Sequence, residues 1–75
     1  MKPEEAFGKT MRNLRTKKGY SQEQLAHNSG LDRTFISLLE RGQRQPSLTS
    51  IVSISASLGI PAHELVRLTE ELAAQ

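Results

Sequence analysis

Arg33, Thr34, Phe35 and Ser37 lie within five consecutive positions and offer the groups that read base-pair edges in a nucleic-acid duplex. A guanidinium can fork onto guanine, Thr and Ser hydroxyls can bond bases or phosphates, and a Phe ring can meet a thymine methyl. Leu38 beside them is also costly to leave in water, and either DNA or the next helix would cover it. Arg41 ends the same run. A helix that only packed in a bundle would not need Arg, Thr and Ser on its exposed first turn.

No other grouping offers chemistry. His27 and His63 are the only histidines, and neither has an acidic cluster at ligand spacing, so no metal is expected. Ser21, Ser29, Ser37 and Ser47 have no His–Asp partnership to activate them and read as caps or polar contacts. Glu4-Glu5 and Glu70-Glu71 are chain neighbours whose side chains point about 100° apart on a helix, which suits helix-end charges rather than an acid–base pair. There is no Gly-rich phosphate loop. The absence of cysteine removes disulfides, thiolate zinc sites and a cysteine nucleophile. The expectation is a protein that is not an enzyme, holds no cofactor and takes no small-molecule ligand.

The elements that must position the reading groups are short helices punctuated by Gly and Pro. The first is expected over about residues 3–18. Pro3 suits its first position, Glu4 and Glu5 complement its positive end, and Lys17 and Lys18 its negative end. Phe7, Met11 and Leu14 form its buried stripe, and Gly19 stops it. Ser21 and Gln24 have the spacing of a capping box, which starts a second helix ending near Ser29-Gly30. Asp32 is expected to cap the third helix, which carries Ile36 and Leu39 inward and ends at Gly42. A polar loop, Gln43-Arg44-Gln45-Pro46, follows. Ser47 caps a fourth helix running to Leu58. Pro61 opens a fifth, with Leu65, Leu68 and Leu72 along one side. Ile51-Val52-Ser53-Ile54 is the nearest approach to a strand. It fits equally well a helix burying Leu48, Ile51, Val52, Ser55 and Leu58, so the fold class is all-α with five helices.

Residues 22–41 join two of these helices through a turn containing Gly30. Ala26 allows them to cross closely, and Leu25, Leu31, Ile36 and Leu39 fill the angle between them. This is the helix-turn-helix pattern, whose second helix enters the DNA major groove.

The chain has 75 residues, enough for a single domain over 1–75. Its net charge of +2 is unevenly spread. Residues 1–45 hold nine basic and five acidic groups, a net of +4, whereas residues 46–75 hold one and three, a net of −2. A basic half suits an anionic polymer, and an acidic half suits a different task. No apolar run approaches the roughly 20 residues of a membrane span. The N-terminal residues lack a signal peptide's apolar stretch, so a cytoplasmic location is expected.

The sequence resembles the lambda-repressor-like helix-turn-helix family of phage repressors, Cro-type proteins and their bacterial relatives. The resemblance rests on Ser21-Gln22-Glu23-Gln24-Leu25-Ala26, Ser29-Gly30-Leu31-Asp32-Arg33-Thr34-Phe35-Ile36-Ser37, Leu39-Glu40-Arg41-Gly42, Pro46-Ser47-Leu48 and Leu58-Gly59-Ile60-Pro61. Within the family, residues 31–37 and Glu40-Arg41 are most similar to controller proteins of restriction–modification systems. The resemblance implies a compact five-helix DNA-binding domain. It implies that Arg33, Thr34 and Ser37 read bases, and that Arg41, Gln43 and Arg44 lie along the phosphate backbone or at the minor groove. It further implies that Gln22 clamps a phosphate or braces the recognition helix. Arg15 and Glu40 occupy the positions of the family's semi-buried ion pair. The residues agree, because a carboxylate beside a DNA-facing surface would repel phosphate unless neutralised.

Leu65, Leu68 and Leu72, with Val66, give the fifth helix more apolar surface than a small domain easily covers. One part is expected on the fourth helix with Ile51 and Leu58, and the surplus in a homodimer contact over about residues 61–73. A dimer also suits readout, since one short helix reads few base pairs and a two-fold pair of half-sites lies about one helical turn (≈ 34 Å) apart. The resulting expectation is a transcription regulator that binds double-stranded DNA as a homodimer at a palindromic operator. The alternative is an antitoxin-type module that grips a partner protein through the fifth helix.

Overall fold

The computed structural model describes all 75 residues, Met1–Gln75. The chain forms five helices: α1 (Pro3–Lys17), α2 (Gln22–Ser29), α3 (Arg33–Glu40), α4 (Leu48–Leu58) and α5 (Ala62–Ala73). There is no strand, as the all-α reading expected. No helix is long and apolar enough to cross a membrane.

Local chemistry explains most of the boundaries. Ser21 Oγ accepts from the Gln24 amide at 3.0 Å, and Gln24 Oε1 accepts from the Ser21 amide at 2.8 Å. This reciprocal capping box starts α2 as the spacing predicts. Gly30 ends α2 in the left-handed region at φ 70°, and the Leu31 amide turns back to the Ala26 carbonyl at 2.9 Å. The turn delivers the chain into α3 at a fixed angle.

Asp32 behaves differently from expectation. It has the extended backbone of an N-cap, but its side chain makes no capping hydrogen bond. Its carbonyl alone contributes, accepting from the Ile36 amide at 3.0 Å.

Met11, Leu25, Ile36, Leu39, Ile54, Leu58 and Leu65 are fully buried, and Phe7 and Ala26 complete the core. All five helices contribute to it, and α3 sits between α1 and α2. The phase of α4 corrects the sequence reading. Leu48 is 77% and Val52 51% exposed, while Ile54 joins Leu58 and Ser55 inside. Two inward serines account for this. Ser50 bonds Ser47 Oγ at 2.9 Å and Ser55 Oγ donates to the Val52 carbonyl at 2.9 Å, so both hydroxyls are satisfied locally and cost little to bury.

The packing of α5 also differs from expectation, since it lies chiefly against α1 rather than α4. Leu65 is fully buried in the monomer core. Leu68 and Leu72 are half-buried and line a shallow crevice with Leu14 and Lys17 of α1. Leu65 is thus removed from the surface a second copy could touch.

Candidate nucleic-acid interface

A buried ion pair and a neighbouring glutamine fix the end of α3. Arg15 of α1 donates from Nε to Glu40 Oε2 at 2.6 Å and from a terminal nitrogen to Oε1 at 3.0 Å. Its other terminal nitrogen reaches the Tyr20 carbonyl at 2.8 Å. Gln22 Nε2, at the start of α2, donates to Glu40 Oε1 at 3.1 Å. One carboxylate at the end of α3 is therefore tied to α1 and α2, and its arginine also holds the turn between those two helices. The paired carboxylate pushes the Arg15 pKa above its ordinary value through that hydrogen bond, against an opposing effect of burial. The forked geometry is the strong form of such a pair. Of the two roles implied for Gln22, the observed one is to brace the recognition helix.

Gly8 makes this arrangement possible. A Cβ there would lie 2.3 Å from the Leu39 carbonyl oxygen and 2.7 Å from that of Glu40. The backbone of α1 thus crosses the last turn of α3 in direct contact. Sequence reasoning missed Gly8 because a glycine inside a helix reads as a weak point. Its place between Phe7 and Met11, on the buried face, was the available signal.

Held in this way, α3 turns its N-terminal residues outward. Arg33 and Thr34 are exposed, and Ser37 and Leu38 are half-buried. Arg33 has no carboxylate partner. Arg41 and Arg44 are exposed beyond the end of the helix, and Arg41 has only a 3.4 Å contact from Nε to the Ser37 carbonyl. Gln43 is exposed, with its amide held by the Leu38 carbonyl at 2.9 Å. Three guanidiniums without acidic neutralisation therefore surround one short helix. Such a surface attracts phosphate and leaves N–H donors free for bases.

Phe35, expected among the base-reading residues, is only partly turned outward. It is half-buried and packs against the core, with the Arg44 guanidinium 5.9 Å from its ring centroid. Leu31, Phe35 and Leu39 recur every fourth residue, and that spacing was the sign that the ring packs partly against the core. No three His, Asp or Glu side chains come together as a metal site would require.

The Helix-turn-helix family model matches residues 11–65. A Neisseria meningitidis protein described as a hypothetical transcription factor is 43% identical over 61 residues, 81% of this chain. The chain spans 58% of that relative's length. Among solved structures, the restriction–modification controller protein C.AhdI from Aeromonas hydrophila has a TM-score of 0.81 at 48% identity, covering 83% of this chain and 94% of its own. The controller protein C.Esp1396I, solved as a tetramer on its natural 35 base-pair operator, has a TM-score of 0.88 at 27% identity, covering 100% of this chain and 99% of its own.

Proposed function

Because the chain belongs to the helix-turn-helix family, of the lambda-repressor-like kind and similar to restriction–modification controller proteins, we propose that it binds double-stranded DNA as a homodimer at a palindromic operator and so regulates transcription. The observation that carries the reading is the pairing of exposed, unneutralised Arg33 with a buried clamp holding its helix. Arg33, Thr34 and Ser37 read bases from the major groove, while Arg41, Gln43 and Arg44 contact the backbone. Binding alone is the mechanism: occupancy blocks or recruits polymerase according to where the sites lie. Phosphate contacts make affinity fall steeply with salt, with a slope of about −0.9 per phosphate neutralised.

Of the dimer contact expected from the sequence, Leu68 and Leu72 remain partly exposed while Leu65 is buried, and a second apolar surface stands out on α4. Leu48 and Val52 are exposed one turn apart on α4, and Ile51 beside them lines an open groove with Pro3, Phe7, Pro46 and Val66. Exposed apolar side chains gathered on one side favour a second copy there. The operator-bound tetramer of C.Esp1396I supports oligomeric binding by this chain. The same patch favours the second reading, an antitoxin-type module, if a co-expressed protein rather than a second copy covers it.

Selection from random duplex DNA tests the proposal. Enrichment of a two-fold symmetric motif with half-sites about one helical turn apart is the expected result. No enrichment over the starting pool would refute operator binding and direct the search to a protein partner for the α4–α5 patch.

A further inference from the structure

We propose that Phe35 is a positioning residue for Arg44, holding its guanidinium beside the recognition helix so that it meets DNA already ordered. This rests on the DNA-binding reading above. Arg44 lies in a loop with little to hold it: residues 44–46 make no backbone–backbone hydrogen bond, and Arg44 forms no salt bridge. Its observed partner is the Phe35 ring, 5.9 Å from the guanidinium carbon to the centroid. The ring itself is well anchored, since it packs against the core on the stripe shared with Leu31 and Leu39.

An arginine side chain has many rotamers, and ordering it on binding opposes affinity. A ring beneath the cation takes part of that ordering into the free protein. The attraction also comes from the ring's quadrupole and engages none of the N–H donors, so the edges of the guanidinium remain open to phosphate. Because Phe35 and Arg33 belong to the same helix, the contact made by Arg44 moves in register with the base-reading residues. The ring therefore serves affinity without reading a base.

The test is a double-mutant cycle between Phe35→Leu and Arg44→Ala, read as DNA affinity on the selected operator and on single base-pair variants of it. Phe35→Leu keeps an apolar side chain and removes the π face. The expected loss is about two- to fivefold, the range of an exposed cation–π contact, and equal on every duplex. It vanishes when Arg44→Ala is already present, and Phe35→Tyr restores wild-type affinity. In the free protein, Phe35→Leu abolishes the ring-current displacement of the Arg44 side-chain NMR resonances.

Losses that simply add would overturn the pairing, as would Arg44 resonances unchanged by Phe35→Leu. A loss confined to one base pair would make Phe35 a base reader. Thermal unfolding of each variant identifies a fall in affinity that reflects only a smaller folded fraction, which would also overturn the pairing. Wild-type protein that binds no duplex would refute the functional reading itself, before any variant is compared.

Discussion

Arg15 and Arg67 both pair with glutamate through more than one nitrogen, yet their surroundings differ in two ways. Arg15 reaches across 25 positions to the end of the recognition helix, and the two side chains are 11% and 4% exposed. Arg67 reaches Glu64 and Glu71 on its own helix, where the arginine is 51% exposed and its partners 33% and 60%. Exposed pairs within one helix contribute little, because solvent screens them and the long side chains must be ordered. A buried pair is costly to break, since the surviving charge is stranded. Contact geometry alone does not reveal which arginine matters. Burial and the distance spanned along the chain do, and by both measures Arg15 organises the fold while Arg67 decorates it.

The sharpest way to break this contrast is Arg15→Met. It should lower the unfolding free energy by about 3–5 kcal/mol in urea titration, because Glu40 is left buried and charged. The double variant Arg15→Met with Glu40→Leu should recover most of that loss. A single variant as stable as wild type would erase the distinction between the two arginines. Gly8→Ala probes the same junction without touching a charge. Its Cβ meets the Leu39 carbonyl at 2.3 Å, so α1 and α3 must separate, at about 1–3 kcal/mol by denaturation. Unchanged stability would show that the two helices can part freely.

The caps offer a smaller version of the contrast. Ser21→Ala removes an observed capping bond and should cost about 1 kcal/mol. Asp32→Ala removes none and should change stability by less than about 0.5 kcal/mol. Equal effects in paired thermal melts would contradict the geometry.

The smallest effect belongs to Arg67→Gln, which should lower the neutral-pH unfolding midpoint only slightly, because the pair is exposed. Arg67 holds the Glu64 carboxyl below its ordinary pKa, chiefly through their hydrogen bond. A lowered folded pKa gives stability that is present above the ordinary carboxylate range and fades as pH falls through the lowered value. The small difference between variant and wild type should therefore be present at neutral pH and vanish on the acid limb, where Glu64 is protonated in both. The Arg15 pKa is raised instead, so its contribution is complete throughout the neutral range and is lost only in strong alkali. A neutral-pH loss from Arg67→Gln matching that from Arg15→Met would remove the contrast.

Much of this was legible in the sequence because it is written in local signals. Gly30, the Ser21–Gln24 box and the spacing of Ile36 and Leu39 mark the helix-turn-helix without any tertiary information. The Arg15–Glu40 pair came from family resemblance, and the structure adds Gln22 and the Tyr20 carbonyl to it. What escaped depends on how elements meet. The phase of α4 was ambiguous because serines that satisfy themselves can turn inward and leave Leu48 and Val52 outside. Leu65 looked like surplus surface because nothing local says that α5 lies along α1. Gly8 lay on the buried stripe with Phe7 and Met11, but its role depends on the last turn of α3 lying against it.

On the proposed reading, a helix locked by buried charge presents Arg33 to a particular base pair. Binding constants for wild-type and Arg33→Ala protein on the selected operator and its single base-pair variants test it most directly. The expected result is a loss of about 1–3 kcal/mol on the operator, with discrimination relaxed at one base pair only. Equal weakening on every duplex would contradict it and make Arg33 a phosphate contact.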